Sequence, residues 1–149
     1  MKQSRRSFSA LIPALLPAIA ARSAMAQSDP SKRLPSKAFK FEDLPVKVSG
    51  AKGENRSHAV LDGQTHSGFP IEVHMTELAA GSEPHAPHQH INEEMFFMQS
   101  GLLDATVNGV TTRLTPGSMC YVNSNELHGV RNPGPGKAQY FVVAFGAKS

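Results

Sequence analysis

The chain has 149 residues, with 15 basic against 12 acidic side chains and one cysteine. A chain of this size holds one modest core, and a lone cysteine excludes an intrachain disulfide as a source of stability. The positive surplus belongs to the N-terminus: Lys2, Arg5, Arg6 and Arg22 lie in the first 26 residues, where there is no acid, so the rest carries 11 basic and 12 acidic residues. It has no basic stripe interleaved with aromatics, which excludes nucleic acid as an expected partner.

Residues 1–26, MKQSRRSFSALIPALLPAIAARSAMA, have a basic start, an apolar middle from Ala10 to Ala21, and small residues at Ala24 and Ala26. That is the layout of a cleavable export signal. The apolar run is shorter than the ~20 residues of a spanning helix, and Pro13 and Pro17 interrupt it. No stable membrane insertion is expected after cleavage behind Ala26. Ser4-Arg5-Arg6-Ser7-Phe8 is similar to the twin-arginine consensus, which addresses folded proteins across the bacterial inner membrane, so a periplasmic or secreted location is expected.

Residues 27–45, rich in Lys, Ser and Pro, read as an extended arm or linker, with a short edge strand at Phe39 to Phe41. From 46 to 149 the chain alternates short apolar runs with Gly, Pro and Asn: SHAVLDG, FPIEVHMTELAAG, EEMFFMQSG, LDATVNGVTTRLTPG, SMCYVNSNE, LHGVRNPGPG and AQYFVVAFG. None has a helical period, and strands of this length at this spacing predict a single all-β sandwich or small barrel. Asn108-Gly109 between LDATV and VTTRL predicts a type I′ hairpin, because both residues tolerate positive φ. There is no internal repeat.

The segment HQHINEE concentrates ligand-type side chains. His88 and His90 are two apart and share a face if extended, and a short turn returns the carboxylate of Glu94 to the same place. A strand beginning at Glu94 puts Phe96 and Met98 on that face and Met95 and Phe97 on the other. Glu93 is expected to face solvent or a barrel mouth, although a slipped turn would make it the ligand instead. In IEVHMTEL the parity does not decide which face turns inward, so His74 is only a pocket candidate. His85 alone reads as an exposed loop histidine, and Cys120, in SMCYV, as a small core residue rather than a nucleophile. No phosphate loop and no nucleophile elbow occurs.

Two spaced patterns frame these residues. G-x6-H-x-H-x3-E-x6-G runs through Gly81, His88, His90, Glu94 and Gly101, and G-x5-N-x-N-x2-H-x3-N runs through Gly117, Asn123, Asn125, His128 and Asn132. Together, with a hairpin between them, they resemble the two motifs of the cupin family, over roughly Ile71 to Phe145. The first glycine stands one residue further from the first histidine than is usual there, and Asn123 and Asn125 replace a proline and a glycine. Asn125 tolerates the left-handed backbone, whereas Asn123 gives up a fixed φ and is expected to loosen its turn.

The resemblance implies a small antiparallel jelly-roll β-barrel of the single-domain, cupin type-2-like kind, with a metal inside it on His88, His90, Glu94 and His128. Three imidazoles and a carboxylate suit one divalent first-row transition metal. Iron or manganese is favoured, with nickel, cobalt, zinc and copper as alternatives. A metal-dependent enzyme on a small organic molecule, with oxidation of dioxygenase type leading, is the first functional expectation. A non-catalytic module binding a metal or a small ligand such as a carbohydrate is the alternative, and a metal-free structural barrel the third. A homodimer is compatible with all three.

Overall fold

A computed structural model of the protein describes residues 30–146. The export signal, its twin-arginine stretch and the Ala24 to Ala26 junction lie outside the described residues. Among the described residues there is no α-helix; nine strands and two 3-10 turns, Pro30–Lys32 and Phe41–Asp43, make up the regular structure. The strands are β1 (Val46–Ser49), β2 (Asn55–Gln64), β3 (Pro70–Leu78), β4 (Glu93–Ser100), β5 (Leu103–Val107), β6 (Val110–Leu114), β7 (Met119–Val122), β8 (His128–Arg131) and β9 (Ala138–Phe145).

They form two sheets, a six-stranded one in the order β1-β2-β3-β9-β4-β7 and a three-stranded one in the order β6-β5-β8. Every strand pair is antiparallel. The sequential neighbours β3 and β4 are separated by β9, which returns from the chain's end to lie between them. Two antiparallel sheets closed over one core in this way form the small jelly roll that the apolar runs predict.

Register explains what each face carries, since directly opposed residues share a face. On the inward side of the large sheet, Ser57, Thr76, Tyr140 and Met98 stand in one row, and His74, Val142, Phe96 and Cys120 in the next. A further inward row holds Glu72, Ala144, Glu94 and Val122. The alternation along β4 is the predicted one: Phe96 and Met98 are buried while Phe97 is exposed. The inward set on β3, undecided by parity, is Glu72, His74, Thr76 and Leu78. Met75 and Glu77, on the opposite face, are buried as well, which is why the pattern of β3 does not alternate.

The core joins Leu78, Met98, Ala138 and Tyr140 of the large sheet to Leu103, Ala105, Leu114 and Val130 of the small one. Asn132 closes the end beyond Leu78 and Ala138. Fully buried, it donates through Nδ2 to the carbonyls of Leu78 at 2.9 Å and Gly136 at 2.8 Å and accepts from the Gly134 N–H at 2.9 Å. Its main chain pairs with Gly81 and Ser82. Gly101 is the one residue type its turn admits: its φ is 79°, and a Cβ there would stand 2.5 Å from the Lys137 carbonyl oxygen.

The hairpin between β5 and β6 turns at Asn108 (φ 49°) and Gly109 (φ 82°), both left-handed as a type I′ turn requires. Phe39 to Phe41 does not form an edge strand. Phe41 starts a 3-10 turn instead, and its ring packs on His58 at 4.6 Å between centroids. The arm meets the sheet earlier in the chain, where Arg33 bridges Gln64 and the Leu34 N–H donates to the Gln64 carbonyl at 2.8 Å.

Candidate metal centre and cavity

The loop between β3 and β4 carries His88 and His90, and the main chain fastens it to β8. His88 and His128 exchange N–H to carbonyl hydrogen bonds of 2.9 Å in both directions, and the Asn125 N–H donates to the His90 carbonyl at 2.8 Å. Asn125 takes a φ of 61°, the left-handed conformation a glycine would supply. The turn holding Asn123 is not loosened by the missing proline. Glu126 pins it, accepting from the Asn123 N–H at 3.2 Å and from Asn108 Nδ2 at 3.0 Å, while the Ser124 N–H donates to Asn123 Oδ1 at 2.9 Å. Side-chain hydrogen bonds thus replace the constraint a proline ring would provide.

This lacing brings His88, His90 and His128 together, one ring nitrogen of each lying within 4.8 Å of the others. Glu94, the first inward residue of β4, reaches two of them: its carboxylate oxygens stand 3.2 Å from His90 Nε2 and 3.4 Å from His128 Nε2. Glu93 points away, toward Tyr121 on the outer side. Two rings are fixed in rotation and tautomer, because His90 Nδ1 donates to the Asn92 carbonyl at 2.8 Å and His128 Nδ1 to the Glu126 carbonyl at 2.8 Å. A proton on Nδ1 leaves the Nε2 lone pair of each aimed inward.

These Nε2 atoms, and Nδ1 of His88, are buried without a hydrogen-bond partner; the Glu94 oxygens are near but outside hydrogen-bonding geometry. Buried polar atoms are nearly always satisfied, so two orphaned Nε2 atoms facing one carboxylate match what a cation would complete. The donor set fits a metal on chemical grounds as well: neutral imidazole is the required form, and His88 is held neutral, its pKa pushed down to about 4 by burial and then by His85, His128 and His90.

Beside the cluster lies a cavity of about 290 Å³. His88, His128 and Glu94 border it at one end, Phe96, Val130 and Val142 give it an apolar wall, and Thr76, Ser57 and Lys47 border the side toward β1. Tyr140 is buried in its floor, where burial raises the phenol's pKa and Thr76 hydrogen-bonds it. His74 also lines the cavity, and its Nδ1 lies 2.9 Å from Glu72 Oε1. The sequence left His74 without a partner because Glu72 is two residues away and reaches it only along an extended strand on which both face inward. His85 sits at the mouth with its ring 4.4 Å from that of His88. Cys120 is a half-buried neighbour of the core with its pKa raised by burial, the behaviour of an inert thiol.

Comparison with known proteins agrees with this fold. The family model of the cupin domain matches residues 74–144. No curated protein is similar enough in sequence to count as a relative. Among solved structures, an RmlC-like cupin from Shewanella frigidimarina superposes with a TM-score of 0.60 at 21% identity, covering 75% of this chain and 93% of its own. The polyketide cyclase RemF from Streptomyces resistomycificus gives 0.62 at 19%, covering 76% and 82%. A protein described as a predicted oxalate decarboxylase, from Thermotoga maritima, gives 0.61 at 15%, covering 74% and 100%. These likenesses carry the fold, a cupin-type jelly roll, and the range of activities named among them shows that the fold alone does not select a chemistry.

Proposed function

We propose that this chain is an exported cupin that holds one divalent first-row metal on His88, His90, Glu94 and His128 and acts as an enzyme on a small organic molecule. The observation that carries the reading is the pair of imidazoles anchored through Nδ1 whose buried, unpartnered Nε2 atoms meet beside one carboxylate. Converging lone pairs in a buried site cost free energy unless a cation receives them. By affinity such a nitrogen and oxygen donor set takes copper or zinc over iron or manganese, so iron or manganese is favoured by availability where the chain folds, with nickel, cobalt, zinc and copper as alternatives.

When bound, the ion would supply a Lewis acid with open positions for a substrate oxygen and, in an oxidation of dioxygenase type, for O₂. The remaining work falls to the chain. Phe96, Val130 and Val142 keep one wall of the cavity apolar and limit water beside the reacting atoms. His74, with Nδ1 turned to Glu72, presents Nε2 as the base that takes a proton from the substrate, and Glu72 stabilises the imidazolium that results. That dyad favours an enzyme over a passive metal- or carbohydrate-binding module, which has no use for a proton acceptor oriented in this way.

Elemental analysis of untagged protein tests the metal. About one ion per chain is expected, and none in a His88→Ala, His90→Ala double variant; full occupancy in that variant would sink the assignment. Export is tested separately by N-terminal sequencing of the protein recovered outside the cytoplasm, with cleavage after Ala26 expected.

A further inference from the structure

We infer that the cavity takes a small organic anion, its acid group held at the β1 edge by Lys47 and its other end directed at the histidine cluster. This rests on the metal reading above for the second end of the ligand and on independent observations for the first.

Lys47 stands opposite Ser57 in the register of β1 and β2, and Ser57 stands opposite Thr76, so the three share the inward row that borders the cavity. Among the described residues, Lys47 makes no ion pair or side-chain hydrogen bond. The other cation bordering the cavity, Arg56, is engaged on the outer side by Glu77 at 3.9 Å, and the same carboxylate takes Lys137 at 3.1 Å. One acid therefore serves two cations next to the β1 edge, and Lys47 is left uncompensated. At the far end the one acid bordering the cavity is Glu94. A divalent ion there offsets Glu94 and the inward Glu72 behind His74, so the uncompensated positive charge lies at the Lys47 end and the field there favours an anion.

The wall between the two ends narrows the class. Phe96, Val130 and Val142 offer no hydrogen bond, so the middle of the ligand is apolar, while the Ser57 hydroxyl beside Lys47 adds a donor for a carboxylate oxygen. A cavity of about 290 Å³ lies at the small end of the ~300–1,000 Å³ usual for ligand pockets. The class is then a monocarboxylic acid with a compact apolar body, or a dicarboxylate of similar length.

The test pairs each acid with its uncharged amide: acetate and acetamide, succinate and succinamide, benzoate and benzamide. Binding to the full-length protein is measured by calorimetry in manganese-loaded and metal-free samples, with metal content determined on the same samples. At least one acid is expected to bind tenfold more tightly than its amide. Lys47→Met should weaken that acid roughly five- to tenfold, the worth of one charge-assisted hydrogen bond, and leave the amide unchanged. Lys47→Arg should restore the preference, and melting temperature should be unaltered in both variants because β1 is an exposed edge strand. No preference in any pair, no binding by any pair, or equal losses for acid and amide in Lys47→Met would overturn the inference. A Lys47-dependent preference in a protein that takes up no metal would sustain the anion site and sink the metal reading; a metal-loaded protein without the preference does the reverse.

Discussion

The two ends of the barrel interior are built from the same strands and do opposite things. Leu78, Met98 and Ala138 fill one end, with Leu103 and Leu114 packed on them from the small sheet and Asn132 satisfying the carbonyls behind. A few residues along the same inward rows, His74, Glu94 and His128 stand around a cavity with buried nitrogens left unpaired. Stability is concentrated where every group has a partner and ligand capacity where several do not. The packed end holds the shape that keeps the polar end open, in the manner of sites whose local strain is compensated elsewhere.

The sharpest way to break that contrast is to exchange losses between the ends. His128→Ala should abolish metal uptake while leaving the metal-free protein folded, since it removes a group whose Nε2 has no hydrogen-bond partner. Metal content together with a denaturation midpoint checks both halves of that statement. Leu103→Ala at the packed end should cost about 2–5 kcal/mol, read by urea unfolding, and leave metal stoichiometry intact at temperatures where the variant is folded. Asn132→Ala should cost roughly 2–3 kcal/mol, because it removes a fully buried side chain that bonds the Leu78 and Gly136 carbonyls and the Gly134 N–H. If Asn132→Ala lowered metal occupancy in the folded state more than Leu103→Ala did, the two ends would not be separable.

Acid sharpens the comparison from the polar side. His88 has its pKa depressed from 6.5 to about 4 in the folded chain, so the unfolded chain takes up this proton first. The contribution of His88 to stability is complete above pH 6.5, is lost as pH falls toward 4, and changes no further below that. Metal-free protein should show the loss in melting temperature across that window, and His88→Ala should flatten it. The smallest effect is expected at the rim of the small sheet. Arg113 and Asp104 pair there near solvent, and Arg113→Ala should shift unfolding by less than about 1 kcal/mol with no effect on metal.

Much of the polar end is legible in the sequence because its chemistry is local. His88, His90 and Glu94 lie within seven residues, and extended geometry suffices to bring them to one place. His128 is located by its pattern of glycine and asparagine spacings rather than by any physical property of the single residue. The strands β2 to β9 follow from apolar runs and their punctuation. What was not legible depends on contacts distant in sequence. The face of β3 was undecided because Met75 and Glu77 are buried on the outer side by neighbours that periodicity does not register, His58 and Lys137 among them. The proton-transfer candidate His74 emerged only once that face was known. The turn at Phe41 exists to cover His58, a residue later in the chain, so no local pattern announces it. Asn123 misled for the same reason, its missing proline being replaced by hydrogen bonds to Glu126.

One feature of the backbone bears on time rather than affinity. His88 and His128 hold each other by reciprocal main-chain bonds of 2.9 Å, so the two remote segments that carry these histidines move as one clasp. Parting the two segments breaks both bonds together, whereas turning a ring about its own side-chain torsions leaves them intact. If release of a bound ion requires the two segments to part, its exchange rate should saturate with the concentration of the incoming ion and be nearly indifferent to that ion's identity; a rate that keeps rising with concentration would show that the rings let go with the main chain still paired.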